Sequence, residues 1–158
     1  MVSPELLRRY PFFGTLEDAQ LKAVAMVCTR QEFEKSQTFF EEHASAKTLY
    51  LLIEGSIDLL YRSDIEFPGK NTPPPKEFLV DDINQGEVFG IASLIEPYSY
   101  SATARASRRC EVVAIDAEEL RKLFNNDVHL GLKLMTQITK TAVERIHHLR
   151  VQLATAWS

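Results

Sequence analysis

The middle of the chain, residues 29–115, is a succession of short β-favouring segments. Several of them alternate apolar and polar residues, which is the pattern of a strand with one buried face. Glu54-Gly55 separates two of the segments and predicts a tight turn. Many short strands divided by turn signals favour a sandwich or a small barrel. The predicted strands are residues 31–34, 37–40, 48–53, 56–61, 78–83, 103–106 and 110–115.

Helical signals flank this β region on both sides. Residues 15–18 predict a helix cap, because a Thr followed three residues later by an acid satisfies exposed backbone N–H groups. Residues 116–119 repeat this pattern before a short helix to about Phe124, and residues 125–127 cap a long helix to about Thr155. A chain of 158 residues is expected to form one domain. Its predicted parts are N-terminal helices in 1–28, the β region in 29–115 and C-terminal helices in 116–158.

The long C-terminal helix carries a heptad pattern. Apolar or small residues recur at alternating intervals of three and four, which is the a/d seam of a coiled coil. The pattern fits either a seam between two helices or an amphipathic helix that packs on its own domain. Thr139 and Ala142 are small, so two helices could approach closely there. The seam residues are Leu132, Met135, Thr139, Ala142, Ile146, Leu149 and Leu153.

A proline-rich segment, residues 62–76, separates two of the predicted strands. It contains Pro68-Gly69 and the run Pro73-Pro74-Pro75. Three consecutive prolines lack the N–H groups that a strand ladder needs, so this segment is predicted to be an exposed, stiff connection. A docking site for a proline-recognising protein partner is the alternative.

Composition argues against several classes of function. A net charge of −4 disfavours nonspecific nucleic-acid binding, which rests on many lysine and arginine contacts to phosphates. Two cysteines are too few for a disulfide framework, and no stretch approaches the roughly 20 apolar residues of a membrane span. The N-terminus carries no secretory signal, so we expect a cytoplasmic protein without membrane contact.

Catalytic and metal-binding patterns are not evident in the sequence. There is no nucleophile–base–orienter set and no paired-carboxylate signature, so an enzyme is not predicted. The adjacent His147 and His148 point in different directions on a helix and do not form a metal-binding pair. We therefore expect no catalytic residues and no metal ligands.

Two motifs in the β region resemble those of a known family. One is residues 85–94 (QGEVFGIASL) followed by residues 101–106 (SATARA), and the other is the hairpin of residues 49–57 (LYLLIEGSI). They are similar to the phosphate-binding cassette and its preceding hairpin in the cyclic-nucleotide-binding domain of Crp/Fnr regulators and protein kinase A regulatory subunits. The resemblance covers about residues 10–153. It implies a mainly β fold with flanking helices: a jelly-roll-like β-roll, or double-stranded β-helix, followed by a long C-terminal dimerisation helix.

The resemblance also implies a ligand site. In the family, backbone N–H groups after the cassette glycine bind a cyclic phosphate, the next residue is an acid that accepts a ribose hydroxyl, and an arginine neutralises the phosphate. Here the acid position is Ile91, and the arginine position falls on Tyr100, or on Ser101 in an alignment shifted by one residue. The implied ligand-binding residues are Phe89, Gly90, Ile91, Ala92, Ser93, Tyr100, Ser101, Ala102 and Thr103.

These two departures weaken the implied site. A buried hydroxyl without a partner costs roughly 1–3 kcal/mol, and a lost hydrogen bond to a charged group costs on the order of 1.5–3 kcal/mol. Together they lower affinity by about two to four orders of magnitude. Arg145 and Thr141 on the last helix are hypothetical lid contacts, and Arg105 either forms a salt bridge that stiffens the roll or replaces the missing arginine. No cofactor is certain; the implied ligand is a cyclic nucleotide or another small anion.

Two functions remain open for such a regulatory module. One is a small-ligand sensor in signal transduction with altered or lost cAMP and cGMP binding, and the other is a degenerate module kept for dimerisation or for docking a protein partner. An open cavity lined by Ile91 and Tyr100 would favour the sensor, and a filled apolar pocket would favour the docking module. Because family members pair through the matching helix, we expect a parallel homodimer. The chain ends before a helix-turn-helix domain, so we expect no DNA binding on its own.

Overall fold

The computed structural model describes residues 1–63 and 76–158. The predicted proline connection, with Pro68-Gly69 and residues 73–75, lies outside the described residues. The helical elements are α1 (Pro4–Arg8), a 3-10 turn (Pro11–Phe13), α2 (Asp18–Met26), a second 3-10 turn (Ile91–Leu94), α3 (Ala117–Asn126) and α4 (Val128–Trp157). The strands are β1 (Cys28–Phe33), β2 (Thr38–Phe40), β3 (Thr48–Glu54), β4 (Ile57–Ser63), β5 (Lys76–Ile83), β6 (Val88–Phe89), β7 (Thr103–Ala106) and β8 (Cys110–Asp116).

Two four-stranded sheets pack face to face. The first has the strand order β1-β8-β3-β6, and the second has the order β2-β7-β4-β5. All neighbouring strands are antiparallel, and the chain passes repeatedly from one sheet to the other. This architecture confirms the predicted β-roll with flanking helices and a long C-terminal helix.

Strand β3 of the first sheet is buried on both of its faces. Successive side chains of a strand point to opposite faces, so Leu49 and Leu51 of β3 pack in the core beneath the helices. Tyr50 and Leu52 of the same strand point into the core between the sheets. The cassette strand β6 therefore pairs with a strand that is fixed from both sides.

Both cysteines lie inside these cores. Cys28 belongs to the core beneath the helices and Cys110 to the core between the sheets, and both are free thiols. Burial raises the pKa of the Cys28 thiol to about 12. The thiolate is the reactive form, so Cys28 is an inert core residue.

Local capping sets the helix ends, with one shift from the prediction. The Asp116 carboxylate accepts a hydrogen bond from the Glu119 N–H, and the Asp127 carboxylate accepts one from the Leu130 N–H, each at 3.1 Å. Helix α2 begins after Glu17 rather than Thr15, because the Gln20 side chain accepts from the Glu17 N–H and completes a capping box there. Strand β6 was not predicted, because a strand of two residues is too short to show an alternation of apolar and polar residues.

Helix α4 presents one face to its own domain and another to the outside. Its buried residues are Leu130, Gly131, Leu134 and Ile138. The predicted seam lies on an adjacent face: Leu132 is 68% exposed and Leu153 is 60% exposed, while Met135 and Ala142 are partly covered. The stripe that packs on the domain is thus mainly a different one. In the described residues, no helix combines the length and the apolar character needed to cross a membrane.

Candidate functional site

The cassette backbone is built as the sequence motif predicts. Strand β6 ends at Phe89, and the next residue, Gly90, has a φ of +77° and leads into the turn Ile91–Leu94. A Cβ atom at this position would lie 3.0 Å from the Thr48 carbonyl oxygen and 3.3 Å from the rings of Phe40 and Tyr100. Only glycine combines this backbone conformation with so close an approach.

Ser93 closes the turn from within. Its hydroxyl is buried and donates to the Gly90 carbonyl at 2.7 Å, and its backbone N–H donates to the same oxygen at 3.1 Å. The Ser93 carbonyl accepts from the Arg121 guanidinium at 3.3 Å, which ties the turn to α3. Ser93 is therefore a structural residue of the turn, with its hydroxyl already used.

Tyr100 fills the space where the resemblance places the phosphate-binding arginine. Its side chain is buried, and its ring is stacked on Phe40 with centroids 3.6 Å apart and an interplanar angle of 8°. The Tyr100 hydroxyl donates to the Thr48 carbonyl at 2.7 Å and accepts from the Thr48 N–H at 3.1 Å. Burial raises the pKa of the Tyr100 phenol, and hydrogen bonds from the Thr48 and Lys47 backbone partly offset this.

The stack belongs to a larger aromatic cluster inside the roll. Phe89 lies 5.0 Å from Tyr50 and 5.1 Å from Phe39, measured between ring centroids. Offset and edge-to-face pairs of this kind add about 0.5–1.5 kcal/mol each beyond the burial of their area. The cluster consists of Phe33, Phe39, Phe40, Tyr50, Phe89 and Tyr100. The interior next to the cassette is thus occupied by rings of the protein itself.

The remaining predicted cassette residues have separate environments. Ile91 is half-buried and packs against the core beneath the helices, and Ser101, the alternative arginine position, is exposed. Ala92 and Ala102 are half-buried. The Thr103 hydroxyl accepts from the Glu42 N–H at 3.0 Å.

Arg105 is committed to an ion pair across the second sheet. Its guanidinium Nη1 lies 2.8 Å from Glu77 Oε2, and its Nε lies 3.5 Å from the Thr38 hydroxyl. This is the geometry of the salt-bridge alternative, which joins β7 to β5.

Arg145 and Thr141 lie on a cavity of about 380 Å³ between α4 and the turn after β5. The Arg145 guanidinium donates to the Val88 carbonyl at 2.7 Å and lies 3.6 Å from the Asp81 carboxylate. Thr141 donates to the Gln137 carbonyl of its own helix at 3.0 Å. The lining of this cavity includes neither Gly90 nor Tyr100, so the structure separates the lid candidates from the cassette residues.

Sequence reasoning missed three residues of this region. Phe40 and Thr48 contact Tyr100, and Asp81 contacts Arg145. Nothing in the sequence links the first two to a residue more than fifty positions away. Asp81 left a sequence signal, because it precedes the apolar Ile83 by two positions in a predicted strand and therefore shares its face.

We predict that Tyr100→Phe destabilises the protein although it removes only one oxygen atom. The Thr48 N–H and carbonyl would lose their partner in a part-buried position, which costs about 1–3 kcal/mol. For a domain of this size the melting temperature should fall by roughly 2–12 °C. Thermal unfolding followed by circular dichroism measures this. The matched control is Tyr61→Phe, whose hydroxyl makes no hydrogen bond within the described ranges; equal melting temperatures for both variants would contradict the role of the Tyr100 hydroxyl.

The sequence of this chain is similar to those of known proteins. A family described as "Cyclic nucleotide-binding domain" matches residues 30–127. Over 120 residues the chain is 28% identical to the cAMP-activated global transcriptional regulator CRP of Pasteurella multocida, covering 73% of this chain and 53% of that protein. The CRP-like cAMP-activated global transcriptional regulator of Mycobacterium tuberculosis is 23% identical over 136 residues, covering 86% and 57%. The chain spans about half the length of these curated relatives.

A solved structure is similar over nearly the whole chain. It is a protein from Geobacter metallireducens, provisionally described as a cyclic nucleotide-binding protein. It has 35% sequence identity and a TM-score of 0.79, and the alignment covers 93% of this chain and all of that one. The family match ends at Asp127, so it includes both sheets and the cassette, and the structural likeness extends further into α4.

Proposed function

This chain belongs to the cyclic nucleotide-binding domain family, and we propose that it is a regulatory module whose cassette no longer recognises cAMP or cGMP. Its relatives are regulators or regulatory domains rather than enzymes, and we propose the same class of role here. In this proposal the module acts through dimerisation and through a protein partner, without catalysis.

The proposed loss of nucleotide recognition rests on one observation. Tyr100 is stacked on Phe40, and its only hydroxyl proton is donated to the Thr48 carbonyl. A cyclic phosphate carries a negative charge that needs a cation or several free N–H donors. Tyr100 supplies neither, and the rings occupy the space.

The two arginines that the sequence offered as replacements are both engaged within the chain. Arg105 is paired with Glu77, and Arg145 is bonded to the Val88 carbonyl and lies near Asp81. Moving either of them to a phosphate would break these contacts. Ile91 offers no acceptor for a ribose hydroxyl.

The proposed output is a parallel homodimer through α4. Apolar residues on one face of this helix remain open to solvent in a single chain, and the heptad spacing aligns them with an identical helix. A symmetric pair also buries the same apolar face on both copies, so neither copy keeps an exposed apolar face. The exposed apolar residues of this face are Val128, Leu132, Ile146, Leu149, Leu153 and Trp157.

A second candidate function is a sensor of a different small molecule. The cavity of about 380 Å³ beside α4 supports it, since a ligand there would touch both the β-roll and the helix. Its acidic residues, Asp81, Asp82, Glu87 and Glu144, outnumber Lys140 and Arg145. This lining fits a neutral or cationic ligand better than a phosphate.

Thermal unfolding against cyclic nucleotides tests the proposal. A ligand at 100 times its Kd adds about 2.7 kcal/mol to the stability of the folded state. That would raise the melting temperature by roughly 5–10 °C for a domain of this size. We expect no such rise with millimolar cAMP, cGMP or cyclic dinucleotides, whereas the cAMP-activated relative from Pasteurella multocida, as the positive control, should respond to cAMP.

A rise in melting temperature with a cyclic nucleotide would contradict the proposal. A rise of that size with cAMP or cGMP would show that the cassette works without an acid at position 91 and an arginine at position 100, and the proposed loss of recognition would be wrong. The variant Arg145→Ala would then show whether α4 contributes to binding, because a retained rise would exclude Arg145 as a lid contact.

A further inference from the structure

A buried carboxylate on β5 faces helix α4. Asp81 is 6% exposed, and its Oδ1 accepts from the Asp82 N–H at 2.8 Å. The same oxygen lies 2.9 Å from Nδ1 of His148, and Oδ2 lies 3.6 Å from the Arg145 guanidinium. A carboxylate so far from water requires partners of this kind, so Asp81 is specifically accommodated by α4.

Arg145 makes the second half of this contact. Its side chain is 17% exposed, and it donates to the Val88 carbonyl of β6 at 2.7 Å. Arg145 is also the last residue of α4 that is not exposed, and the last fully buried residue before it is Ile138. The helix therefore leaves the domain in the turn between Arg145 and His148.

These polar contacts connect the C-terminal half of α4, residues 139–157, to the β-roll. Within the described parts of the chain, every hydrogen bond and ion pair from residues 139–157 to other elements runs through Arg145 or His148. Apolar packing on the domain is weak beyond Ile138, where Thr141 and Ala142 are only half-buried.

We propose that Asp81, Arg145 and His148 form an internal latch that holds α4 against the β-roll without any ligand and thereby fixes the direction of the dimer seam. The dimer part rests on the function proposed above. Successive helical residues are about 100° apart, so Arg145 is anchored in the same turn from which Ile146 projects along the seam. If the latch opens, α4 is free to pivot beyond Ile138, and the two seams lose their fixed register.

A double-mutant cycle tests the latch. Removing one member of a buried charge pair leaves the other uncompensated and is strongly unfavourable. We expect Arg145→Met to raise the dimer dissociation constant at least about tenfold, measured by sedimentation equilibrium. Asp81→Asn should act in the same direction, and the double variant should cost little more than Arg145→Met alone, because the contact is already lost.

The matched control is Lys140→Met. Lys140 lines the same cavity five residues earlier but makes no ion pair among the described residues, so this variant should dimerise like the wild type. Hydrogen exchange provides the second measurement: amides of residues 139–149 should lose protection in Arg145→Met, while those of β8 stay protected and show that the roll remains folded.

The outcomes separate the latch from the dimer. A wild-type protein that sediments as a monomer contradicts the proposed dimer, and the exchange of residues 139–149 then decides the latch alone. A dimeric wild type with unchanged association and unchanged protection in Arg145→Met overturns the latch and leaves the dimer intact. Strictly additive effects of the two single variants would also overturn it.

Discussion

With Ile146→Glu and Leu149→Glu combined, the protein is expected to sediment as a monomer at concentrations at which the wild type is a dimer. The two side chains are 48% and 42% exposed in a single chain. A partner helix can therefore bury about half of the surface of each. At 1.5–3 kcal/mol for a fully buried side chain, four half-covered side chains per dimer contribute roughly 3–6 kcal/mol. Their loss weakens association by about two to four orders of magnitude, before any charge repulsion is counted.

The matched control for this variant carries two glutamates in the same turns on another face. His147 and Val151 are both exposed and point away from the seam. The variant His147→Glu with Val151→Glu should remain a dimer in sedimentation equilibrium. If it dissociates as readily as the seam variant, added charge rather than the seam is responsible; if the seam variant stays dimeric, α4 does not pair in the proposed way.

Phe89→Ala is expected to lower the melting temperature by roughly 6–20 °C. Phe89 is 1% exposed and stands next to the cassette glycine, in contact with the rings of Phe39, Phe40 and Tyr50. Removing a buried phenyl ring costs about 3–5 kcal/mol, since the lost transfer free energy is joined by the cost of the cavity. Each kcal/mol corresponds to about 2–4 °C in a domain of this size.

Calorimetry at one fixed protein concentration measures this effect, because dimerisation makes the melting temperature depend on concentration. Phe78→Ala is the control: the same ring is 49% exposed on β5, and its removal should change stability by only about 0.5 kcal/mol. A fall of less than 2 °C for Phe89→Ala would mean that the aromatic cluster is not what holds the cassette in place.

The order of strands and helices was accessible from the sequence because its signals are local. Alternation along a strand and a carboxylate three residues before a helical N–H act over a few residues, as Asp116 and Asp127 show. The errors were local as well. Gln20 moved the start of α2 from Thr15 to Glu17, and β6 was too short to carry a pattern.

The candidate site could be predicted from the sequence only in part. That positions 91 and 100 lack an acid and an arginine is visible in the sequence, once the motif is aligned. What Tyr100 does instead depends on Phe40 and Thr48, which reach it only after the roll has closed. Likewise, the sequence named Arg145 but not its partner Asp81, which is 64 positions away and on another element.

By itself, then, the sequence determined the fold, the place of the cassette, its missing polar groups and the heptad stripe of α4. Only the tertiary structure decided that Tyr100 and Phe40 fill the cassette, that Arg145 is used within the chain, and that most of the stripe lies outside the core. The physical reason is the separation along the chain over which each effect acts. Propensity, capping and periodicity are properties of neighbouring residues, whereas burial, stacking and ion pairing depend on which distant residues the two sheets and α4 bring within a few ångströms of each other.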